Sequence, residues 1–377
     1  MRILVVNDLL QGGGVEKLMY DIVMRNHDKH QITILTDKMD KDFGNIYPEN
    51  VGYIYQMEED YPEANNKYQD LKNRVIRKKR ELLLKKKVKS MNFDLLLCMK
   101  ESWIMMMALT YGNYIPKKFA WVHTDYKKSY YTLYWFGSKE NEVEFMKRFN
   151  NVICVSQVIL DSIKEVIGDP GNLLVRNNPL NAKEIIEKGK EQLVEIKRNE
   201  RPLFVTVGRL SVQKGFDILL EVCNLLNAEN YEYDVWIVGG GESCNNYSVL
   251  HDLENQIYKY NLHNVYLLGA QSNPHKFVKQ ADWFLSTSRY EGYSYVSQEA
   301  IIQGIPVLLT ECAGVDELLG SVGGGIVLEN SYKGIYYGMK DVIEHPERQI
   351  ECKANIKFYE SISYWVDRWA AIEELFL

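Results

Sequence analysis

Three features of this 377-residue sequence predict an α/β fold made of two Rossmann-like, parallel-sheet domains. The chain opens with a strand, a glycine loop and a helix, the usual start of such a domain. A second succession of strand, glycine-containing loop and helix begins at residue 203. Between them, Arg176-Asn177-Asn178-Pro179 interrupts the pattern, as Asn and Pro do at structural breaks. The division falls at 1–178 and 179–357, with a tail at 358–377.

Composition agrees with a soluble chain. Its length suggests about two domains. A hydrophobic content of 46% and a charged content of 25% are ordinary. No apolar run approaches the roughly 18 residues of a membrane span. Met1 to Val6 is too short and too soon interrupted for a signal peptide. The six cysteines (98, 154, 223, 244, 312, 352) form no C-x-x-C pair, which points to neither zinc nor a disulfide framework, and a reducing cytoplasm fits them. The net charge of −6 is uneven: residues 1–178 carry 27 Lys and Arg against 23 Asp and Glu, and the remainder carries 18 against 28. Such asymmetry points to different partners for the two halves.

In the first half, Ile3–Val6 is a strand and Gly12-Gly13-Gly14 a loop before a helix at about Val15–Arg25. The dinucleotide fingerprint G-x-G-x-x-G cannot be drawn there. Taken alone, the triplet is a tight turn. Strands follow at Ile32–Leu35 and Val51–Tyr55. Lys72 to Lys89 holds ten basic residues and one acid, Glu81, with apolar residues interleaved at helical spacing. Such a segment is either a solvated helix packed on the sheet or a surface that docks on anionic lipid. Nucleic acid is disfavoured, because the basic cluster is local and the protein is acidic. Asp94–Met99 is a buried strand. Phe119–Val122 is the next, and it delivers His123 at its carboxyl end, where site residues of such folds lie. Tyr126–Phe136 is rich in aromatics and is read either as a core-packing helix or as an acceptor wall. Val152–Ser156 closes the half, with a helix from Val158 and a short run at Leu173–Val175.

Ala182–Asn199 is a charged helix or linker. The second half begins with the strand Leu203–Val207, then Gly208-Arg209-Leu210 and Lys214-Gly215, then a helix at Ile218–Asn227. Arg209 and Lys214 lie five apart across a loop at the helix mouth. Both cations can converge on one anion; a guanidinium fork plus a movable ammonium suits a diphosphate. Val235–Val238 runs into Gly239-Gly240-Gly241-Glu242, where the third fingerprint glycine is replaced by Cys244. Val265 to Gln271 is a further strand and its end.

Ala281 to Ala300 is the most informative stretch. Trp283–Leu285 is a strand, Arg289-Tyr290-Glu291-Gly292 a turn, and Tyr295–Ile302 a helix stopped by Gly304 and Pro306. Loops of this kind bind ligands, and free N–H groups at the helix start face anions. Glu291 and Glu299 stand eight positions apart. They are either solvated or grip hydroxyls on one elongated ligand with a central anion, as in a nucleotide sugar. Ile305–Thr310 and Gly323–Val327 complete the sheet, with a short helix opened by Gly314–Glu317. The tail has helical spacing at Tyr364, Trp365, Trp369, Ile372 and Leu375.

These motifs together resemble glycosyltransferase family 4, the group 1 glycosyltransferases. The resemblance runs in order along nearly the whole chain, with its anchors in the second half. It implies the GT-B fold, with two Rossmann-like domains facing across a cleft and the tail crossing back onto the first. It also implies a retaining, metal-independent enzyme that moves a sugar from a nucleotide sugar, a UDP-sugar by expectation, to a glycan or lipid-linked acceptor. No cofactor is implied. Capsule, lipopolysaccharide and exopolysaccharide synthesis is the commonest setting of the family, on the cytoplasmic side and peripherally on the membrane. By resemblance, Gly13 and Gly14 face the ligand and Glu16 is structural. His123 sits near the sugar's C6 hydroxyl, and Arg209 and Lys214 bind the donor diphosphate. Gly240 or Gly241 lies beside the nucleotide, and Ala270 and Gln271 meet the base through backbone atoms. Gly292, Tyr293 and Ser294 form the phosphate cradle, Glu291 contacts sugar hydroxyls and Glu299 the ribose. The commoner family form has Gly and Pro where Ser294 and Val296 stand. Members with lipid-linked acceptors often present a basic first domain, which favours docking for Lys72–Lys89.

Three rivals remain in the sequence: a phosphorylase-like or hydrolytic enzyme of the same fold, an inactive partner that binds another transferase, and a nicotinamide oxidoreductase. Neither glycine loop completes the fingerprint of the last. The joint presence of His123, Arg209, Lys214 and Glu291 argues against a dead site.

Overall fold

The computed structural model describes residues 1–8, 13–38, 46–57, 67–240, 246–356 and 358–376. The chain divides into two compact units. Unit one is Met1–Asn177 together with the residues from Glu374 on; unit two is Asn178–Glu373. The first unit is therefore discontinuous in sequence.

Unit one is organised on a seven-stranded parallel sheet. Its strands are β1 (Arg2–Val6), β2 (Gln31–Lys38), β3 (Gly52–Met57), β4 (Leu95–Cys98), β5 (Lys117–Val122), β6 (Asn151–Cys154) and β7 (Leu173–Val175), in the order β3-β2-β1-β4-β5-β6-β7. Strands in a doubly covered parallel sheet are buried on both faces, so they read as unbroken apolar runs. Leu95, Leu96, Leu97 and Cys98 are accordingly all fully buried. The order reverses between β1 and β4, which pair directly. Helix Gln157–Val166 follows β6 and begins with Ser156, whose hydroxyl accepts from Ile159 N. The basic segment is a 24-residue helix, Lys67–Ser90. Val88 is buried, while Leu71, Val75, Leu82 and Leu83 stand 58–61% exposed among the lysines. The last residues return to this unit: Phe376 stacks on His30 with ring centroids 5.8 Å apart, and Glu374 lies 3.7 Å from Arg176.

Unit two has a six-stranded parallel sheet: β8 (Leu203–Val207), β9 (Asp234–Val238), β10 (Val265–Leu267), β11 (Trp283–Ser286), β12 (Val307–Thr310) and β13 (Gly325–Leu328), in the order β10-β9-β8-β11-β12-β13. Here the reversal falls between β8 and β11. Phe204, Leu219, Val235, Leu285, Leu308 and Met339 belong to one continuous core between sheet and helices. The segment after the junction forms a helix only over Ala182–Gly189, capped by Asn181. The tail helix spans Phe358–Glu373. The sequence expectation sends the whole tail to the first domain. This helix groups instead with unit two, where Arg368 bonds Asn178, Gln298 and Tyr293 and Trp369 bonds Leu180.

Candidate active site

Ligands of open parallel sheets bind beyond the carboxyl ends of the strands, where the order reverses. In unit two that point is served by the loops after β8 and β11, which carry Arg209, Lys214 and Glu291. Lys214 Nζ donates to Glu291 Oε1 at 2.6 Å, and Ser288 Oγ donates to the same oxygen at 2.8 Å. The pair is 17% and 13% exposed. Arg209 is exposed. Thus the two cations of the loop differ: one is held by a carboxylate, the other faces solvent.

The two loops are laced together by bonds far apart in sequence. Thr287 Oγ1 donates to Lys214 O at 2.9 Å, Arg289 N to Gln213 O at 2.8 Å, and Gln213 Nε2 to Tyr290 O at 3.0 Å. Arg289 grips Asp217 with both guanidinium nitrogens, at 2.8 and 2.6 Å. Gly215 has φ +65°, and a Cβ there would stand 2.2 Å from Thr287 O, so the close approach needs glycine. Ser288 O receives Thr310 Oγ1 at 2.7 Å and Asn330 Nδ2 at 3.3 Å. The turn holding Glu291 is therefore anchored from β12 and from the end of β13.

Ser294 caps helix Tyr295–Ile302: its Oγ accepts from Ser297 N at 3.4 Å and from Ser297 Oγ at 2.8 Å. Tyr293 is buried, its phenol receiving Arg368 Nη2 at 2.5 Å. Burial pushes that phenol up to about 12, against the lowering effect of Arg368. The Tyr293 side chain thus points into the unit. Glu299 is 7% exposed, with His275 Nδ1 3.9 Å from its Oε2. A Cβ on Gly240 would stand 2.9 Å from Ala270 Cβ, so these two expected nucleotide neighbours adjoin. Gln271 Nε2 donates to Leu268 O at 2.7 Å. Gly241, with Glu242 and Cys244, lies outside the described residues, as does Gly12.

In unit one, the loops after β1, β4 and β5 meet at the other reversal. His123 follows β5. Its Nε2 lies 2.9 Å from Met99 O, which places the proton on Nε2 and leaves Nδ1 as the ring's acceptor. Its backbone N donates to Glu101 Oε2 at 3.1 Å. Burial lowers the imidazole below its ordinary value, opposed by the Glu101 charge. Glu101 is 1% exposed, and the next residue, Ser102, sits at φ +87°. A non-glycine residue there stores strain of about 1–3 kcal/mol. Gly13 lies beneath the Glu16 carboxylate, whose Oε2 would meet a Cβ at 2.6 Å; Gly14 begins helix Gly14–Asn26. Asn7 Nδ2 donates to Glu16 Oε1 at 3.4 Å, and burial raises the Glu16 carboxyl.

The aromatic segment is helical only over Leu133–Phe136 and packs inward through Tyr126 and Phe136. Tyr126 and Tyr130 donate to the two oxygens of Glu142, at 2.6 and 2.9 Å, and Glu142 is wholly buried. Tyr134 and Trp135 are 82% and 41% exposed. A cavity of about 380 Å³ lies beside the carboxyl ends of β2 and β3, lined by Asp37, Gln56, Arg77, Arg80 and Trp103 among others. No group of three or more His, Cys, Asp or Glu among the described residues is placed to hold a metal ion. None of the described helices is long and apolar enough to cross a membrane.

Residues 177–358 match the family described as Glycosyl transferases group 1. That match falls almost wholly on the second unit. Over 119 residues the chain is 36% identical to an uncharacterized glycosyltransferase, MJ1059, of Methanocaldococcus jannaschii, covering 31% of this chain and 28% of that protein. Over 174 residues it is 28% identical to a UDP-Gal:alpha-D-GlcNAc-diphosphoundecaprenol alpha-1,3-galactosyltransferase of Escherichia coli, covering 44% of each. The chain thus spans less than half the length of either curated relative. Anabaena Alr3699/HepE, solved with UDP and glucose, superposes with a TM-score of 0.75 at 19% identity, over 99% of this chain and 98% of that one. At that identity the likeness shows the fold, and the fold is GT-B.

Of the residues singled out in the second half, the structure brings Lys214 and Glu291 together, with Gly292 next in the chain, and leaves Arg209 exposed. Ser288, which bonds Glu291, and the Arg289–Asp217 pair that joins the two loops were not singled out. Nor was Glu101 in unit one. A Glu three residues past the end of a buried apolar strand is the signal that points to it.

Proposed function

We propose that this chain is a retaining, metal-independent glycosyltransferase that moves a sugar from a nucleoside diphosphate sugar to a glycan or lipid-linked glycan in cell-surface polysaccharide synthesis. The observation that carries the reading is the Lys214–Glu291 pair at the strand reversal of unit two, with Arg209 open beside it. Arg209, Lys214 and the Gly292 backbone are suited to a diphosphate. They stabilise the charge that develops on it as the sugar leaves. Glu291, oriented by Lys214 and Ser288, accepts from sugar hydroxyls, and Glu299 from the ribose. His123, with Nδ1 as acceptor, takes a hydroxyl of the sugar.

None of the motif residues is a carboxylate nucleophile of the kind retaining glycosidases use. We therefore assign transfer to one face of the sugar. The bond from the anomeric carbon to the phosphate oxygen breaks, and the acceptor oxygen bonds that carbon from the same side. The acceptor's proton passes to the departing phosphate oxygen. A UDP-sugar is favoured as donor by the substrate named for the Escherichia coli relative and by the UDP in the Anabaena structure.

For the acceptor we propose the first unit. Its cavity brings Asp37, Glu81, Arg77 and Arg80 together with the Trp103 indole, a lining suited to hydrogen-bonding and stacking on a sugar. Helix Lys67–Ser90 is proposed to dock on an anionic membrane surface. Its exposed leucines stand among bases each worth about 1 kcal/mol near such a surface.

The test is calorimetric and thermal-shift titration with UDP-, GDP- and ADP-linked sugars, against Arg209→Ala and Lys214→Ala. A ligand at a hundred times its Kd adds about 2.7 kcal/mol of stability. Stabilisation of the parent and not of the variants supports the reading. Absence of binding by every donor sinks it and favours a partner protein without catalysis.

A further inference from the structure

We propose that Arg368 is a positioning residue that ties the Glu291 loop to both places where the chain passes between units, so that filling the nucleotide site stiffens those passages. The inference rests on the donor-binding reading above.

The chain leaves unit one at Asn177–Asn178 and returns at Glu373–Glu374. Arg368 lies five residues before the return and is 7% exposed. Its Nη1 donates to Asn178 O at 3.3 Å and to Gln298 Oε1 at 3.1 Å. Its Nη2 donates to the Tyr293 hydroxyl at 2.5 Å. The guanidinium also lies 4.9 Å from the centroids of both Tyr293 and Trp365. One residue on, Trp369 Nε1 donates to Leu180 O at 3.0 Å. The outgoing and returning stretches are thus bound to each other through the tail helix, and a further arm of the same side chain reaches Tyr293, two residues past Glu291.

The planar guanidinium holds its donors in a fixed fork, so the three acceptors are set in direction relative to one another. Burying a cation is costly unless its bonds are made, so the guanidinium is confined to one pose. Tyr293 is confined from its other side as well: it packs on Gly314, where a Cβ would stand 2.5 Å from its Cδ2. A shift of the Gly292–Ser294 backbone towards a diphosphate therefore moves the phenol, the phenol moves Arg368, and Arg368 moves the Asn178 carbonyl.

The test uses the full chain, with UDP and GDP as probes, read by calorimetry and by hydrogen exchange with mass spectrometry. In the parent, the probe that binds should protect the Glu291 loop and also residues 178–185 and 365–373. Tyr293→Phe keeps the ring and removes only the hydroxyl. It should raise Kd roughly five-fold, the equivalent of one hydrogen bond, and lose most of the ligand-induced protection at the two passages. Arg368→Lys should behave alike; should it fail to fold, Tyr293→Phe carries the test. A Tyr293→Phe protein with lowered Tm but unchanged Kd and unchanged protection assigns Arg368 a structural role and overturns the inference, while the donor reading stands. If neither probe binds the parent, both fall together.

Discussion

Gly215 offers a quantitative probe of how the Lys214 loop is held. Replacing it by alanine has two costs. At φ +65°, any side chain meets the left-handed penalty of about 1–2 kcal/mol. The new methyl would also stand 2.2 Å from Thr287 O, a backbone atom that can yield only by moving the turn before Glu291. Forced overpacking of that kind costs about 1–3 kcal/mol. Gly304 is the matched control in the same unit: its φ is +75°, and its Cβ would meet no described residue within 4 Å. Gly304→Ala should show the first cost alone. The difference, about 1–3 kcal/mol, corresponds to a Tm gap of roughly 2–12 °C for a unit of this size. Calorimetric scans of both variants measure it. Nucleotide-sugar titration should show about ten-fold or greater weakening for Gly215→Ala and none for Gly304→Ala, a factor of ten being about 1.4 kcal/mol. Equal melting and equal binding of the two would refute the argument that the Thr287 contact sets the loop.

Three further outcomes are expected. Glu291→Gln removes the carboxylate and releases Lys214; transfer should slow by about 10² or more, while UDP binds at least as tightly as to the parent, and a loss of UDP binding would contradict the assigned role. His123, lowered from 6.5 by burial, is neutral when folded; as pH falls below 6.5 the unfolded chain takes a proton that the folded chain resists, so stability drops. Urea midpoints from pH 7.5 to 5 should fall less steeply for His123→Gln than for the parent. Converting Lys72, Lys78, Lys79 and Lys86 to alanine should weaken sedimentation with phosphatidylserine vesicles by about 10²-fold or more, at about 1 kcal/mol each, with no change on neutral vesicles.

The strands were legible because parallel sheets bury both faces: runs such as Leu95–Cys98 and Trp283–Leu285 carry their own signal. Helices were less so. Trp103–Gly112 is buried almost all round and shows no period. Tyr332–Glu344 has a clear apolar stripe at Ile335, Met339 and Val342, and a Ser331 cap, yet was passed over. Tertiary pairings were out of reach. The cations and Glu291 could be named from spacing, but Lys214 meeting Glu291, 77 positions away, follows from β8 and β11 lying side by side. Arg368 meeting Tyr293 depends on where the tail helix seats, and no local pattern encodes that.

The discontinuity of unit one bears on how the chain is made. Ribosomes add roughly 5–20 residues per second. With Asn178–Glu373 in between, Leu375 and Phe376 emerge about 10–40 s after the rest of unit one is complete. Throughout that interval the nascent seven-stranded sheet has no Phe376 to cover His30, and no Glu374 to meet Arg176. The first half must hold its shape without residues 374–376 while residues 178–373 are translated.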